Sequence, residues 1–191
     1  MVGVVSKQGR DLRGFLQLLE QRGRLRRISA PVDPDLELAA IADRVLAAGG
    51  PALLFENVIG SSMPVAINLL GTQERVLWSL GMERPEELET LGERLALLQQ
   101  PRPPKGAREA VRFGSVLLDV LKATPDLDLT PPCRQQVFKG EAVNLDALPL
   151  LRPWPGDGGR IITLGLVITG TRKPARRMWA CTGCSSNRST R

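Results

Sequence analysis

The spacing of helix-starting and helix-stopping residues constrains this chain more than any other feature. Asp11 precedes a run in which Leu12, Phe15, Leu16 and Leu19 recur at helical spacing, and Gly23 follows it. A short Asp side chain accepts from the first unbonded amides of a helix, and Gly tolerates the left-handed backbone that ends one. Asp33-Pro34 and Asp35 repeat the signal ahead of Leu38, Ile41, Ala42, Val45 and Leu46, with Gly49-Gly50 behind. A third time, Thr72 stands before Val76, Leu77 and Leu80, and Gly81 is the stop. Only short strands fit between these helices, and they are predicted at Arg24 to Ile28, Ala52 to Phe55 and Val65 to Asn68. Helix and strand alternating at such short intervals imply an α/β layered domain.

From Arg84 the pattern turns helical and acidic, and Leu88, Leu91, Leu95 and Leu98 are expected on one packed side. Consecutive prolines then deny a helix its donors, so Pro101 to Gly106 reads as a linker. One more helix is predicted from Ala107 to Lys122. The remainder is β-leaning: Cys133 to Phe138, a turn at Lys139-Gly140, Leu145 to Pro149, and a strand from Arg160 to Thr169. The predicted organisation is an N-terminal α/β domain over residues 1–100, a Pro-rich linker over 101–106, the opening part of a β domain over 107–177, and a tail over 178–191. The fold class is α/β in the broad sense that includes α+β.

The tail differs chemically from the body. The net charge of +6 and the pI near 9.9 suggest nucleic acid, so where the excess lies matters. After Thr171 come Arg172, Lys173, Arg176, Arg177, Arg188 and Arg191 without an acid, leaving 20 basic and 20 acidic residues before them. The body is balanced, there is no Tyr, and only 4% of residues are aromatic, so stacking platforms are scarce and nucleic-acid binding is not expected. No run approaches the roughly 18 apolar residues of a membrane span, and the N-terminus lacks a signal-peptide core, so no stable membrane insertion and a cytoplasmic location are expected.

Cys181-Thr182-Gly183-Cys184 has the spacing of a redox pair or half a zinc site. Zinc usually takes four ligands, His is absent, and Cys133 is the only other thiol, so no metal site is expected here. Gly156-Asp157-Gly158-Gly159 reads as a turn into the next strand rather than a phosphate cradle. Trp154 is expected to be a packing anchor, and Trp78 and Phe55 core residues. Arg22, Arg24, Arg26 and Arg27 form a basic cluster suited to a solvated surface or to salt bridges between subunits. Without His, catalysis would need a tuned Asp or Glu, and no pair of carboxylates has a persuasive spacing.

Several segments taken together, in order, resemble the UbiD-type decarboxylases. They are Asp11-Leu12-Arg13 with Phe15-Leu16, Pro31 to Pro34, Pro51 to Val58, Met63-Pro64-Val65 with Asn68 to Thr72, Gln135-Gln136-Val137, Leu148-Pro149, Trp154 to Asp157, and Thr163 to Thr169. The resemblance runs from about Asp11 to Arg177. It implies that residues 107–177 begin a split β-barrel-like cofactor domain. It also implies a carboxy-lyase that uses prenylated FMN, manganese and a monovalent cation to decarboxylate an aromatic or unsaturated acid, such as a hydroxybenzoate-type quinone precursor. A homo-oligomer is left open. Thr163 corresponds to a position that contacts the flavin in such enzymes. An equally good reading is a β-propensity residue on a half-buried strand.

The resemblance also implies an Asn-x-Gly-x-Tyr-Arg-like element just after the strand ending at Thr169. Its Asn would ligate the metal, and its Arg would work with two downstream glutamates on the substrate carboxylate and the proton. Here the Asn position falls at Met178 and the Arg position at Gly183. A thioether is too soft to prefer manganese, and Gly carries no charge. Regrouping the codons permitted by Met178 to Ser185 one base earlier allows Asn-Val-Gly-Val-Tyr-Arg-Leu-Gln. The tail therefore reads as out of frame after Arg177, in a truncated member that is inactive alone and names no catalytic or metal residue of its own. Unpaired strand edges would favour aggregation or pairing with a partner. The alternative is a genuine short interaction or assembly module that pairs with a separate catalytic chain.

Overall fold

In this computed structural model, residues 11–99, 106–122, 129–131, 134–163, 166–170, 177–181 and 184–185 are described. Helix α1, Leu12–Gln21, begins where the Asp11 carboxylate accepts from the Gly14 amide at 2.7 Å. It ends in a left-handed Gly23 (φ 65°), with the Gly23 amide donating to the Glu20 carbonyl and the Arg24 amide to that of Leu19. This is the double-bonded glycine cap that the sequence signals. The same pair of bonds closes α2, Glu37–Ala47, at Gly49 and Gly50, and α3, Gln73–Ser79, at Gly81 and Met82.

Three strands form the first sheet in the order β1-β2-β3: Leu25–Ile28, Ala52–Phe55 and Val65–Ile67. β1 runs parallel to β2 with Leu25 opposite Ala52, and β3 runs antiparallel with Val65 opposite Phe55. Every residue of the central β2 is buried, so its alternating side chains serve two layers. Leu53 and Phe55 pack with Val32, Leu38, Val58 and Leu151, with Ile41 and Val45 of α2 alongside. Ala52 packs with Phe15 and Leu19 of α1, with Trp78 beside them. The layered α/β arrangement is therefore present, and Phe55 and Trp78 lie where the sequence places them.

Four expectations need correction. Helix α2 begins at Glu37, later than Asp33-Pro34-Asp35 suggested, because those residues form a turn of their own. The Asp33 carboxylate accepts from the Asp35 amide at 2.8 Å, Glu37 reaches back to the Asp33 amide at 2.8 Å, and Leu36 takes a left-handed φ of 68°. Helix α4, Pro85–Gln99, buries none of its residues, and Leu95 and Leu98 face solvent. In α3, Leu80 is exposed and Arg75 is buried. The stretch from 134 to 147 carries 3-10 turns at Gly140–Ala142 and Leu145–Ala147 in place of strands.

Helix α5, Ala107–Lys122, forms as predicted and buries Val116. Four further strands follow, β4 Ile161–Ile162, β5 Leu166–Gly170, β6 Arg177–Cys181 and β7 Cys184–Ser185. They form two antiparallel pairs, β4 with β7 and β5 with β6. The predicted continuous strand from Arg160 is thus interrupted at Thr163. Most of the predicted linker, together with Cys133, lies outside the described residues. No helix among the described residues is long and apolar enough to cross a membrane.

Candidate functional site

The segment from Leu148 to Thr163 folds back onto the N-terminal sheet. Leu151 enters the same core as Phe55, and Ile161 pairs with it across a bridge. Arg152 fastens the segment: its Nε donates to Asp35 Oδ1 at 2.7 Å and its carbonyl accepts from the Leu36 amide at 3.0 Å. The left-handed turn at Leu36 is thus held by a contact more than a hundred residues away in sequence. Strain of this kind persists only where surrounding structure fixes it.

Between the docked segment and β3 lies a cavity of about 600 Å³. Its walls are residues 65–71, 148–151 and 161–163, with Ala39 and Pro153. Among the described residues of its lining, Asn68 and Thr163 supply the only polar side chains, and there is no Asp, Glu, Lys, Arg or Cys. Asn68, at φ 59°, spends its amide donor on the Ala42 carbonyl at 2.7 Å, which ties the end of β3 to α2. Thr163 stands exposed on the cavity wall, on the turn after β4 rather than on a half-buried strand. The arrangement can receive a flat apolar group, with a hydroxyl at one edge. Among the described residues it offers no cation for a carboxylate or phosphate and no carboxyl to deliver a proton.

The other sequence-marked residues lie elsewhere. Trp154, expected as an anchor, is exposed, because the Trp154 carbonyl and amide are used by Asp157 to close a turn, at 3.1 and 3.0 Å. That turn is the reading preferred for Gly156-Asp157. The basic cluster is largely paired within the chain: Arg22 with Glu83, Arg24 with Glu74, and Arg27 with both Glu20 and Glu56. Hydrogen bonds from Arg27 and from Arg22 hold the Glu20 and Glu83 carboxyls below their ordinary pKa. Arg22 also lies over the Trp78 ring, 4.3 Å from its centroid. These pairs stabilise a surface and form no ligand site.

Arg75 went unnoticed in the sequence. Its side chain is buried, Nη1 donates to the Gly50 carbonyl at 2.9 Å, and Nε and Nη2 have no partner. Burial lowers its pKa, and the charge of Arg24 adds to the effect. A Cβ on Gly71 would lie 2.6 Å from Nη2 and from Leu46 Cδ1, so Gly71 leaves the room this guanidinium occupies. A glycine directly before a capping Thr was the available signal.

No group of three His, Cys, Asp or Glu capable of holding a metal occurs among the described residues. Among the described residues the cavity lining could pack an apolar ring and includes no charged group for a cofactor phosphate. Cys181 and Cys184 sit on different strands, opposite Leu166 and Ile162. Met178 lies opposite Thr169 in the β5–β6 pair, a register set by backbone bonds whatever the side chain.

The mixed helix-and-strand fold is one that UbiD-class structures share. The sequence model of the 3-octaprenyl-4-hydroxybenzoate carboxy-lyase N-terminal domain matches residues 16–95, and that of the Rift-related domain of the same enzymes matches residues 127–185. An uncharacterized protein of Synechocystis sp. is 63% identical over 160 residues, which is 84% of this chain and 32% of that protein. The UbiD-class enzyme HmfF from Pelotomaculum thermopropionicum, in an evolved dimeric form with prFMN, superposes with a TM-score of 0.63 at 26% identity, over 90% of this chain and 35% of that one. Vanillic acid decarboxylase from Sedimentibacter hydroxybenzoicus in its closed form gives 0.60 at 29% identity, over 85% and 31%. The chain belongs to the UbiD family, as an N-terminal portion of it. It spans about a third of the length of the relatives it matches.

Proposed function

We propose that this chain is the N-terminal part of a prenylated-FMN-dependent carboxy-lyase whose intact form reversibly decarboxylates an aromatic or unsaturated acid. A hydroxybenzoate-type quinone precursor is the substrate class we favour. The observation that carries the reading is the ordered match of both family domains to one chain. Prenylated FMN, when bound in the intact enzyme, supplies the electron sink, with manganese and a monovalent cation holding its phosphate. Thr163 is the residue we assign to flavin contact. Its exposed position on the wall of an apolar cavity supports the assignment.

The chain alone is inactive in this reading. Decarboxylation needs a fixed cation for the substrate carboxylate and a carboxyl to deliver the replacing proton, and the described residues of the cavity lining include neither. We assign the loss of the Asn and Arg at Met178 and Gly183 to a shifted reading frame after Arg177. The domain limits at 101–106 and 177, and a cytoplasmic location, belong to the same proposal. Nucleic acid has no role in it. Purified chain supplied with prenylated FMN, manganese, potassium and a panel of hydroxybenzoates should release no CO2 above a protein-free control. Release that depends on the chain overturns the inactivity. Sequencing the gene through the codons for Lys173 to Gly183 and beyond tests the frame. An uninterrupted frame with no Asn-Val-Gly-Val-Tyr-Arg downstream refutes the shift.

A further inference from the structure

Among the described residues, the stretch from 137 to 145 carries four apolar side chains that stand exposed. Val137, Phe138, Val143 and Leu145 are 63%, 67%, 52% and 52% exposed. They stand on irregular backbone whose bonds are local: the Ala142 amide donates to the Lys139 carbonyl and the Val143 amide to that of Gly140. Past this stretch the chain meets the N-terminal unit, through Ser61 Oγ to the Ala147 carbonyl at 3.2 Å and then Leu151 in the core. Apolar residues scattered singly on a surface need no explanation, but four within nine positions on an otherwise unsupported turn do.

We propose that the face formed by Val137, Phe138, Val143 and Leu145 is a docking surface for the polypeptide that longer family members carry outside the region matched here. The proposal rests on the reading of this chain as part of a longer catalytic polypeptide. Two observations choose that occupant. The face falls inside residues 127–185, which match the second family domain, so the polypeptide that accompanies that domain in longer relatives is its natural neighbour. That polypeptide exists in length, because the matched region is 32% of the Synechocystis relative. The short pairs β4–β7 and β5–β6 lie in the same domain and are two strands wide, which extends the incomplete surface from side chains to backbone. The exposed leucines of α4 lie in or next to the first domain and belong to a different face.

The test co-expresses tagged 191-residue chain with the two thirds of the Synechocystis relative outside the matched stretch. The expected result is stoichiometric retention of that segment through a salt wash. Val137→Asp with Phe138→Asp should lower retention about ten-fold or more, whereas Leu95→Asp should leave it unchanged. Because these positions are exposed, all variants should keep the parent melting temperature. Failure to retain the segment, whether it is soluble or not, overturns the proposal, as does retention indifferent to Phe138→Asp. A concentration-dependent dimer of the chain alone, abolished by Phe138→Asp, would put a second copy on this face and equally overturn it. CO2 release by the chain alone would instead refute the inactivity reading and leave the docking result standing.

Discussion

Replacing Arg75 by Met should raise stability, although it removes a buried hydrogen bond. Nη1 donates to the Gly50 carbonyl at 2.9 Å, and a charged bond of that kind is worth about 1.5–3 kcal/mol. Against it stand Nε and Nη2, both buried without a partner, each costing about 1–3 kcal/mol. The midpoints leave the guanidinium at a net cost of about 2 kcal/mol relative to an apolar side chain of similar length. Met keeps an unbranched apolar stem in the buried site and fits beside Gly71, which leaves room there. For a chain of this size the gain corresponds to a rise of about 4–8 °C in melting temperature. Arg75→Ala forfeits the same packing and leaves a cavity, so it should fall about 2–4 kcal/mol below the Met variant. Thermal and urea unfolding of the three proteins at neutral pH read both differences. If Arg75→Met melts below the parent, the guanidinium is net stabilising, and the accounting of its unpaired nitrogens is wrong.

Other perturbations follow from the same geometry. Phe55→Ala empties the centre of the larger core cluster and should cost about 3–5 kcal/mol in urea unfolding, with the slope of the transition unchanged. Gly23→Ala meets no atom within 4 Å, so its penalty is purely that of φ 65° on an L-residue, about 1 kcal/mol by the same assay. Glu20 and Glu83 have folded-state pKa values depressed by Arg27 and Arg22, so their contribution is present above the unfolded pKa and disappears as pH falls through the folded one. The melting temperature should therefore decline on acidification from about pH 5 to pH 3. The decline should be shallower in an Arg22→Ala, Arg27→Ala double variant.

What the sequence determined by itself was local. Asp11, Thr72, Gly23, Gly49 and Gly81 bound helices because caps act within four residues of themselves, and α1 and α3 start where those residues say. Ala52 to Phe55, four apolar residues between turn signals, could only be a fully covered strand, and β2 is buried throughout. The order of the family segments carried the resemblance. Tertiary structure decided everything that depends on distant partners. Leu36 turns left-handed because Arg152 docks beside it, and the start of α2 moves with it. Arg75 is inside because Gly50 and Gly71 leave it a place, a fact no periodicity in α3 encodes. The cavity exists only because Leu148 to Thr163 folds back over β3. Local backbone preferences are written in neighbouring side chains, whereas burial and site geometry arise from packing between segments that the sequence alone does not bring together.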